Sequence, residues 1–274
     1  MTRWLVLLMS IGCAPPFSIC GSAGPVEDAG RLPAALEETS GLVWDNGGLW
    51  AVNDGPATTM TRVATNGESE RLLSIAGVTT VDAEDLAYDP VGPSVILADI
   101  GDEDQSRRSV QLIRLPAQVA TPTVSGEAIT LLRPNGYADD METSIVDPWD
   151  GSVLLVGRNG EDAPLLYAEG AARLDDDATV QLTRRGRLPL PEVSGGDISR
   201  DGRTVVLRTL TSAWFWYRDQ DEPLYETLQG RACQVPLSSD EVQGESIALG
   251  PGAIYSVSEG VRAMLHRQAL SLPD

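Results

Sequence analysis

Apolar and polar positions along the chain fall into one pattern that returns five times. The stretches are EETSGLVWDNGGLWAVND from Glu37, DAEDLAYDPVGPSVILADIGD from Asp82, DMETSIVDPWDGSVLLVGRNG from Asp140, SGGDISRDGRTVVLRTLT from Ser194 and QGESIALGPGAIYSVSEG from Gln243. Each has an acid, a few small or polar residues, and then apolar positions. A turn of Gly, Pro, Asp or Asn follows, and after it a strongly apolar run ending in polar residues. This is the pattern of a strand, a tight turn and a second, more deeply buried strand. The anchor acids Glu38, Glu84, Glu142, Asp197 and Glu245 lie 46, 58, 55 and 48 residues apart. That period, with little helical periodicity, suits the four-stranded blade of a propeller. Weaker runs at Val110–Leu115, Ala128–Leu132 and Leu165–Ala168 are assigned to outer strands.

The remainder of the chain fits a closed ring. The 29 residues after Glu245 and the 25 between Cys13 and Glu38 together make about one further spacing. The predicted fold is therefore all-β: a β-propeller of five four-stranded blades, closed by pairing of the N- and C-terminal segments so that no edge is left open.

The first residues read as an export signal. Arg3 gives a positive start, and Trp4–Gly12 is an apolar run too short to span a bilayer. It ends in SIGC, which resembles a bacterial lipobox with Cys13 as the lipidated residue, although Ser10 stands where that pattern prefers Leu. Ordinary secretion and an uncleaved segment are the alternatives. The expected organisation is a signal peptide over 1–12, a lipidated N-terminus and tether over 13–30 and the propeller over 31–274. An exported chain reaches an oxidising compartment, so Cys20 and Cys233 are either disulfide-bonded or two free thiols. The expected location is the bacterial cell envelope, lipid-anchored and facing the periplasm or the exterior.

Charge narrows the partners. The formal net charge of −20, from 40 acids against 20 bases, disfavours nucleic acid and anionic membrane surfaces. Membrane contact is expected only through the lipid anchor. Cations are favoured, and a solubilising acidic surface is the plainer reading of most of these acids.

The hairpin pattern places chemistry at one end of the channel. In an antiparallel hairpin, the start of the first strand and the end of the second share one edge. The anchor acids Glu38, Glu84, Glu142, Asp197 and Glu245 are therefore expected to converge with Asn53, Asp54, Asp99, Arg158, Arg208 and Glu259. The first set is the candidate metal-ligand group and the second the candidate ligand-binding group. Carboxylates gathered around one axis repel at low dielectric. A Ca2+ ion, which takes 6–8 oxygen ligands, would relieve them, and so would pairing with Arg158 and Arg208. DIGDEDQSRR, from Asp99, is either a loop cation site or a loop held by its own salt bridges, since it lacks EF-hand spacing. Trp44, Trp50, Trp214 and Trp216 read as packing aromatics, with sugar stacking as the alternative for one of them.

Together, ETSGL, DAEDLAYDP, LADIGD, DISRDGRTVVLRTLT, QGESIAL and VSEG resemble a group of secreted bacterial propellers with DIGDN-like, SPDGRRVVLRTYT-like and QGEGIA-like motifs in the same order. The resemblance runs from Glu37 to Gly260. A more distant likeness is to SdiA-regulated propellers, and one more distant still to calcium-dependent apyrases. The last implies a channel Ca2+ and nucleotide hydrolysis. Glu103 departs from the DIGDN-like motif, and Asp197 departs from the glutamate of the other anchors. The leading functional expectation is an envelope lipoprotein whose acid-lined channel binds Ca2+ and serves as a platform for an envelope protein or a small anionic ligand. The alternatives are a calcium-dependent phosphoesterase and a metal-dependent lactonase. The single histidine, His266, lies far in sequence from the anchor acids, which argues against a Ser-His-Asp hydrolase.

Overall fold

A computed structural model of the chain describes residues 17–118, 120–135 and 139–273. The expected signal peptide and Cys13 lie outside the described residues. The chain forms a five-bladed β-propeller. A short helix, α1 (Phe17–Gly21), precedes β1 (Val26–Arg31). Blade I is β2 (Thr39–Asp45), β3 (Gly48–Asn53), β4 (Thr59–Val63) and β5 (Ser69–Ala76). Blade II begins with β6 (Ala83–Asp89), β7 (Ser94–Asp99) and β8 (Ser109–Pro116). The chain then reaches back through β9 (Thr123–Ser125), which pairs parallel to β5, before β10 (Glu127–Leu132) completes blade II.

Blade III is β11 (Asp140–Val146), β12 (Val153–Arg158), β13 (Ala163–Ala168) and β15 (Thr183–Leu188), with β14 (Thr179–Gln181) lent to the edge of blade II. Blade IV is β16 (Val193–Ile198), β17 (Thr204–Thr209), β18 (Ser212–Tyr217) and β19 (Cys233–Pro236), with α2 (Leu224–Thr227) before β19. Blade V is β20 (Gly244–Gly250), β21 (Ala253–Ser258) and β22 (Met264–Ala269), and β1 pairs antiparallel to β22 as its fourth strand. The ring thus closes between the two ends of the chain, as expected. Among the described residues no helix is long and apolar enough to cross a membrane.

The apolar runs follow from this stacking. Each central strand has neighbouring blades on both faces, so both sets of alternating side chains are buried. In β3, Trp50 and Val52 pack toward blade II, whereas Leu49 and Ala51 pack toward blade V. One apolar cluster fills each of the five seams. The turn from β2 to β3 is Asn46–Gly47, with φ of 39° and 90°. Both values are positive, which a two-residue type I′ hairpin requires and Asn-Gly supplies.

The stretch expected to be a tether is instead folded from residue 17 onward. Ile19 is fully buried in the seam of blades IV and V, and Cys20 is disulfide-bonded to Cys233 in β19. Apolar Ile19 and the paired sulfur hold a segment whose composition alone suggests a linker.

An acidic mouth at one end of the channel

Every inner strand carries the same irregularity. In β2, β6, β11, β16 and β20 the register with the next strand slips by one residue, leaving Ser40, Glu84, Glu142, Ser194 and Glu245 as bulged positions. A bulge re-aims its side chain and is common beside functional sites. The five positions therefore form one ring of three glutamates and two serines. The serines tie neighbouring blades: Ser40 Oγ donates to Glu84 O at 2.6 Å, and Ser194 Oγ to Gly244 O at 2.6 Å.

Two residues before each bulge stand Glu38, Asp82, Asp140, Glu192 and Gln243. Four residues of the ring and Asp82 and Asp140 of the second tier meet the ends of the neighbouring strands in a cavity of about 350 Å³. Its lining is Asp54, Asp82, Glu84, Glu103, Asp140, Glu142, Glu245 and Glu259, with Arg158 and Ser40. Eight carboxylates thus face one guanidinium.

Arg158 divides this mouth. Its Nη2 bonds Glu245 Oε2 and lies 3.6 Å from Glu142 Oε2, while Nε is 3.9 Å from Glu192. On the other side, ligand oxygens of Asp54, Asp82 and Glu84 lie within 4.8 Å of one another. Among the described residues no arginine forms a salt bridge with any of these three. Burial, then Glu142, Asp54 and Asp82, push the Glu84 carboxyl well above the usual range. Burial and Asp54 raise Asp82 to about 6. Glu142 is pushed up to about 8 by burial, against the pull of Arg158. Burial raises Glu245 and Glu259 as well.

The DIGDEDQSRR loop frames the mouth and is held by its own bonds. Asp99 is wholly buried; its Oδ1 accepts from the backbone N–H of Val81 at 3.1 Å and of Asp82 at 2.7 Å. Arg107 bonds the carbonyls of Gly101 and Asp99, and Asp102 accepts from Arg133 at 2.6 Å. Gly101 leaves the room the acids need: a Cβ there would stand 2.6 Å from Asp82 Oδ2 and closer still to Glu84 Oε1.

Several expected residues take other places. Glu38 belongs to the second tier, is exposed and does not line the cavity. Asp197 lies three residues beyond the bulge, deeper in the fold, where its carboxylate accepts from the N–H groups of Ile198 at 2.8 Å and Leu249 at 2.7 Å. Asp85 does the same for Leu86 and Ser144, both at 2.8 Å, so two buried acids each clasp the next blade. Asn53 turns to the Ala35 carbonyl at 2.8 Å. Asp99 positions the Asp82 loop rather than facing the cavity.

Arg208 is not a mouth residue. The register pairs Asp140 with Arg158 in blade III but Val193 with Thr209 and Gly195 with Arg208 in blade IV. The position matching Arg158 is therefore Leu210. Arg208 points into the seam of blades IV and V, wholly buried, 2.7 Å from Glu241 and bonded to the carbonyls of Ser246 and Val257. Asp82, Asp140 and Glu103 are mouth residues that the anchor pattern passed over. The repeated acid two places before the bulge, Asp82-Ala-Glu84 and Asp140-Met-Glu142, is the signal that could have found the first two.

No family model matches this chain, and no curated protein matches it. Solved structures do match in fold. The major allergen Mala s 1 of Malassezia sympodialis aligns with a TM-score of 0.53 at 8% identity, over 85% of this chain and 92% of that one. A family AA12 carbohydrate-active enzyme of Trichoderma reesei aligns at 0.49 and 10% identity, over 91% and 98% of the two chains. A nidogen/laminin complex aligns at 0.49 and 11%, over 80% and 72%. At 8% identity the likeness to Mala s 1 is one of fold alone, and propellers host unrelated functions.

Proposed function

We propose that the acidic mouth holds a hard divalent cation, Ca2+ first, and that the filled mouth is the binding platform of an exported, lipid-anchored envelope protein. The observation that carries this is the trio Asp54, Asp82 and Glu84, whose oxygens lie within 4.8 Å of one another with no arginine bridged to them among the described residues. The donors suit the ion: all are hard oxygens, with no Cys or His among them. Asp140 and Glu103 line the same cavity and are available as further ligands. A bound Ca2+ would supply positive charge for an anionic ligand, and Arg158 would add a forked donor beside it. The Cys20–Cys233 bond is the kind an oxidising compartment sustains, which supports the exported reading.

The test is thermal unfolding of the chelator-stripped protein, residues 17–274, with and without Ca2+, using Mg2+ as comparison. A ligand that binds only the folded state adds about 2.7 kcal/mol at a hundred times its dissociation constant. A rise with Ca2+ that Glu84→Gln removes supports the reading. No rise in a protein that stays folded in chelator rejects it.

Arg158 beside the acid trio also favours a second reading, a calcium-dependent phosphoesterase. There the ion would polarise a phosphoryl oxygen, and Arg158 would orient the phosphate. Turnover of a phosphoester panel that needs Ca2+ and falls with Arg158→Gln would establish it; no turnover leaves the binding platform.

A further inference from the structure

The opposite end of the channel carries a cavity of a different character. Five residues after each bulge stand Asp45, Asp89, Asp147, Ser199 and Gly250. Where this residue is an acid with an arginine from the following blade, the seam is clamped. Asp89 takes Arg173 through two bonds of 2.9 Å, and Asp147 takes Arg218 at 2.9 and 2.6 Å. Trp149 packs 3.8 Å from the Arg218 guanidinium over this clamp. Around blades I and V the device is missing. Asp45 turns to Arg62 of its own blade at 3.1 Å, and Ser199 and Gly250 offer no carboxylate. The space left is a cavity of about 510 Å³, within the range of small-molecule sites, roughly 300–1,000 Å³.

Its walls are chiefly apolar and flat. Trp44, Tyr88, Leu249, Pro251 and Leu272 line it together with Arg200, and Asp45 and Asp201 stand in the same lining. Trp44 is fixed by stacking on Tyr255, with ring centroids 5.4 Å apart and planes 19° apart. The Arg200 guanidinium lies 3.3 Å from the Tyr88 ring centroid, and its Nη2 donates to Trp44 O. A guanidinium has five N–H donors. Among the described residues Arg200 forms no salt bridge, in a chain with 40 acids against 20 bases; Asp197 and Asp45 act on its charge only from a distance. The nearby acids are engaged: Asp45 by Arg62, and Asp201 by Ser199 Oγ at 2.5 Å and Arg203 N at 3.1 Å. Desolvation lowers the Arg200 guanidinium, and Asp197, Tyr88 and Asp45 offset that only in part.

We infer that this cavity is a second ligand site, for a small planar aromatic carboxylate: the ring lies among Trp44, Tyr88 and Pro251, and the carboxylate is taken by the fork of Arg200. Aromatic walls supply the apolar area, and a planar guanidinium matches a carboxylate in two parallel bonds. The site is independent of the acidic mouth and of any cation held there.

The experiment titrates the protein with 2-naphthoate, by calorimetry and tryptophan fluorescence, with chelator present throughout. The neutral 2-naphthamide is the comparison. The expected result is one saturable site for the carboxylate, at least about tenfold weaker in Arg200→Gln, partly restored in Arg200→Lys, and weak for the amide. Pro251→Glu, in an exposed turn, sets a like charge at the wall and is expected to weaken binding without touching a strand. The inference is overturned by absence of saturable binding, by equal affinity for acid and amide, or by an Arg200→Gln variant that binds as the wild type does.

Discussion

Gly101 lies against the carboxylates of Glu84 and Asp82, so close that a single added methyl would displace both. No positive φ is required at Gly101, so alanine is tolerable to the backbone and harmful only to the acids. Gly101→Ala is therefore expected to keep the fold while weakening Ca2+ binding at least about tenfold, as the ligand oxygens are pushed apart. Calcium titration followed by melting temperature reads both quantities.

Arg158 has the opposite sign. Burial disfavours its charge, but Glu142 and Glu245 outweigh that and hold the guanidinium above its ordinary value. Arg158→Gln removes the only cation lining the cavity among the described residues. The metal-free protein should lose stability by about 1–3 kcal/mol, while affinity for Ca2+ should rise several-fold. Melting curves in chelator and in Ca2+ should diverge in these two directions; equal shifts would show that Arg158 and the cation do not share a field.

Asp197 sets a pH dependence of its own. Burial raises its carboxyl from 3.8 to about 6, against two backbone N–H donors and Arg200. Between those values the folded chain holds the proton more firmly than the unfolded chain. Its contribution to stability is thus complete below about pH 4 and is lost as pH rises through about 6. The loss is about 3 kcal/mol, on the order of two pH units. Asp197→Asn should flatten the stability profile over that window, measured by denaturant unfolding at several pH values.

Arg208 makes a structural pair rather than a binding contact. Removing one partner of a buried ion pair leaves the other uncompensated and costs about 3–5 kcal/mol. Arg208→Ala should lose that much in denaturant unfolding. Its remaining folded fraction should still respond to Ca2+, because Arg208 does not line the mouth and reaches it only through its charge on Glu245 and Arg158.

The blades were legible because their central strands are apolar on both faces. SVILAD, VLLVGR and TVVLRT read as strands covered on both faces, and the leftover lengths at the two ends predict the closure. The register was harder to read. In the sequence the acids are the visible recurring mark, but the recurring feature is a backbone bulge, which two serines occupy as readily as three glutamates. Counting from the acids placed Glu38 and Asp197 in a ring to which neither belongs. A shift of two residues likewise set Arg208, rather than Leu210, beside Arg158. In a strand the face alternates at each residue, and a bulge resets the alternation, so composition alone cannot place such side chains. The Trp44, Tyr88 and Arg200 cavity was invisible for a different reason. Its walls come from blades I, II, IV and V, and no local pattern links them.

The staple between Cys20 and Cys233 joins α1 to the outer strand of blade IV, not to the blade that β1 completes. Cys233 precedes β20, β21 and β22 in the chain, so both sulfurs exist before the last blade has been made. Oxidation at that stage would hold β1 at the gap as a waiting edge. The final three strands would then dock onto a preset template instead of searching for a distant N-terminal segment. The chain's slowest encounter, between its two ends, would become a local one.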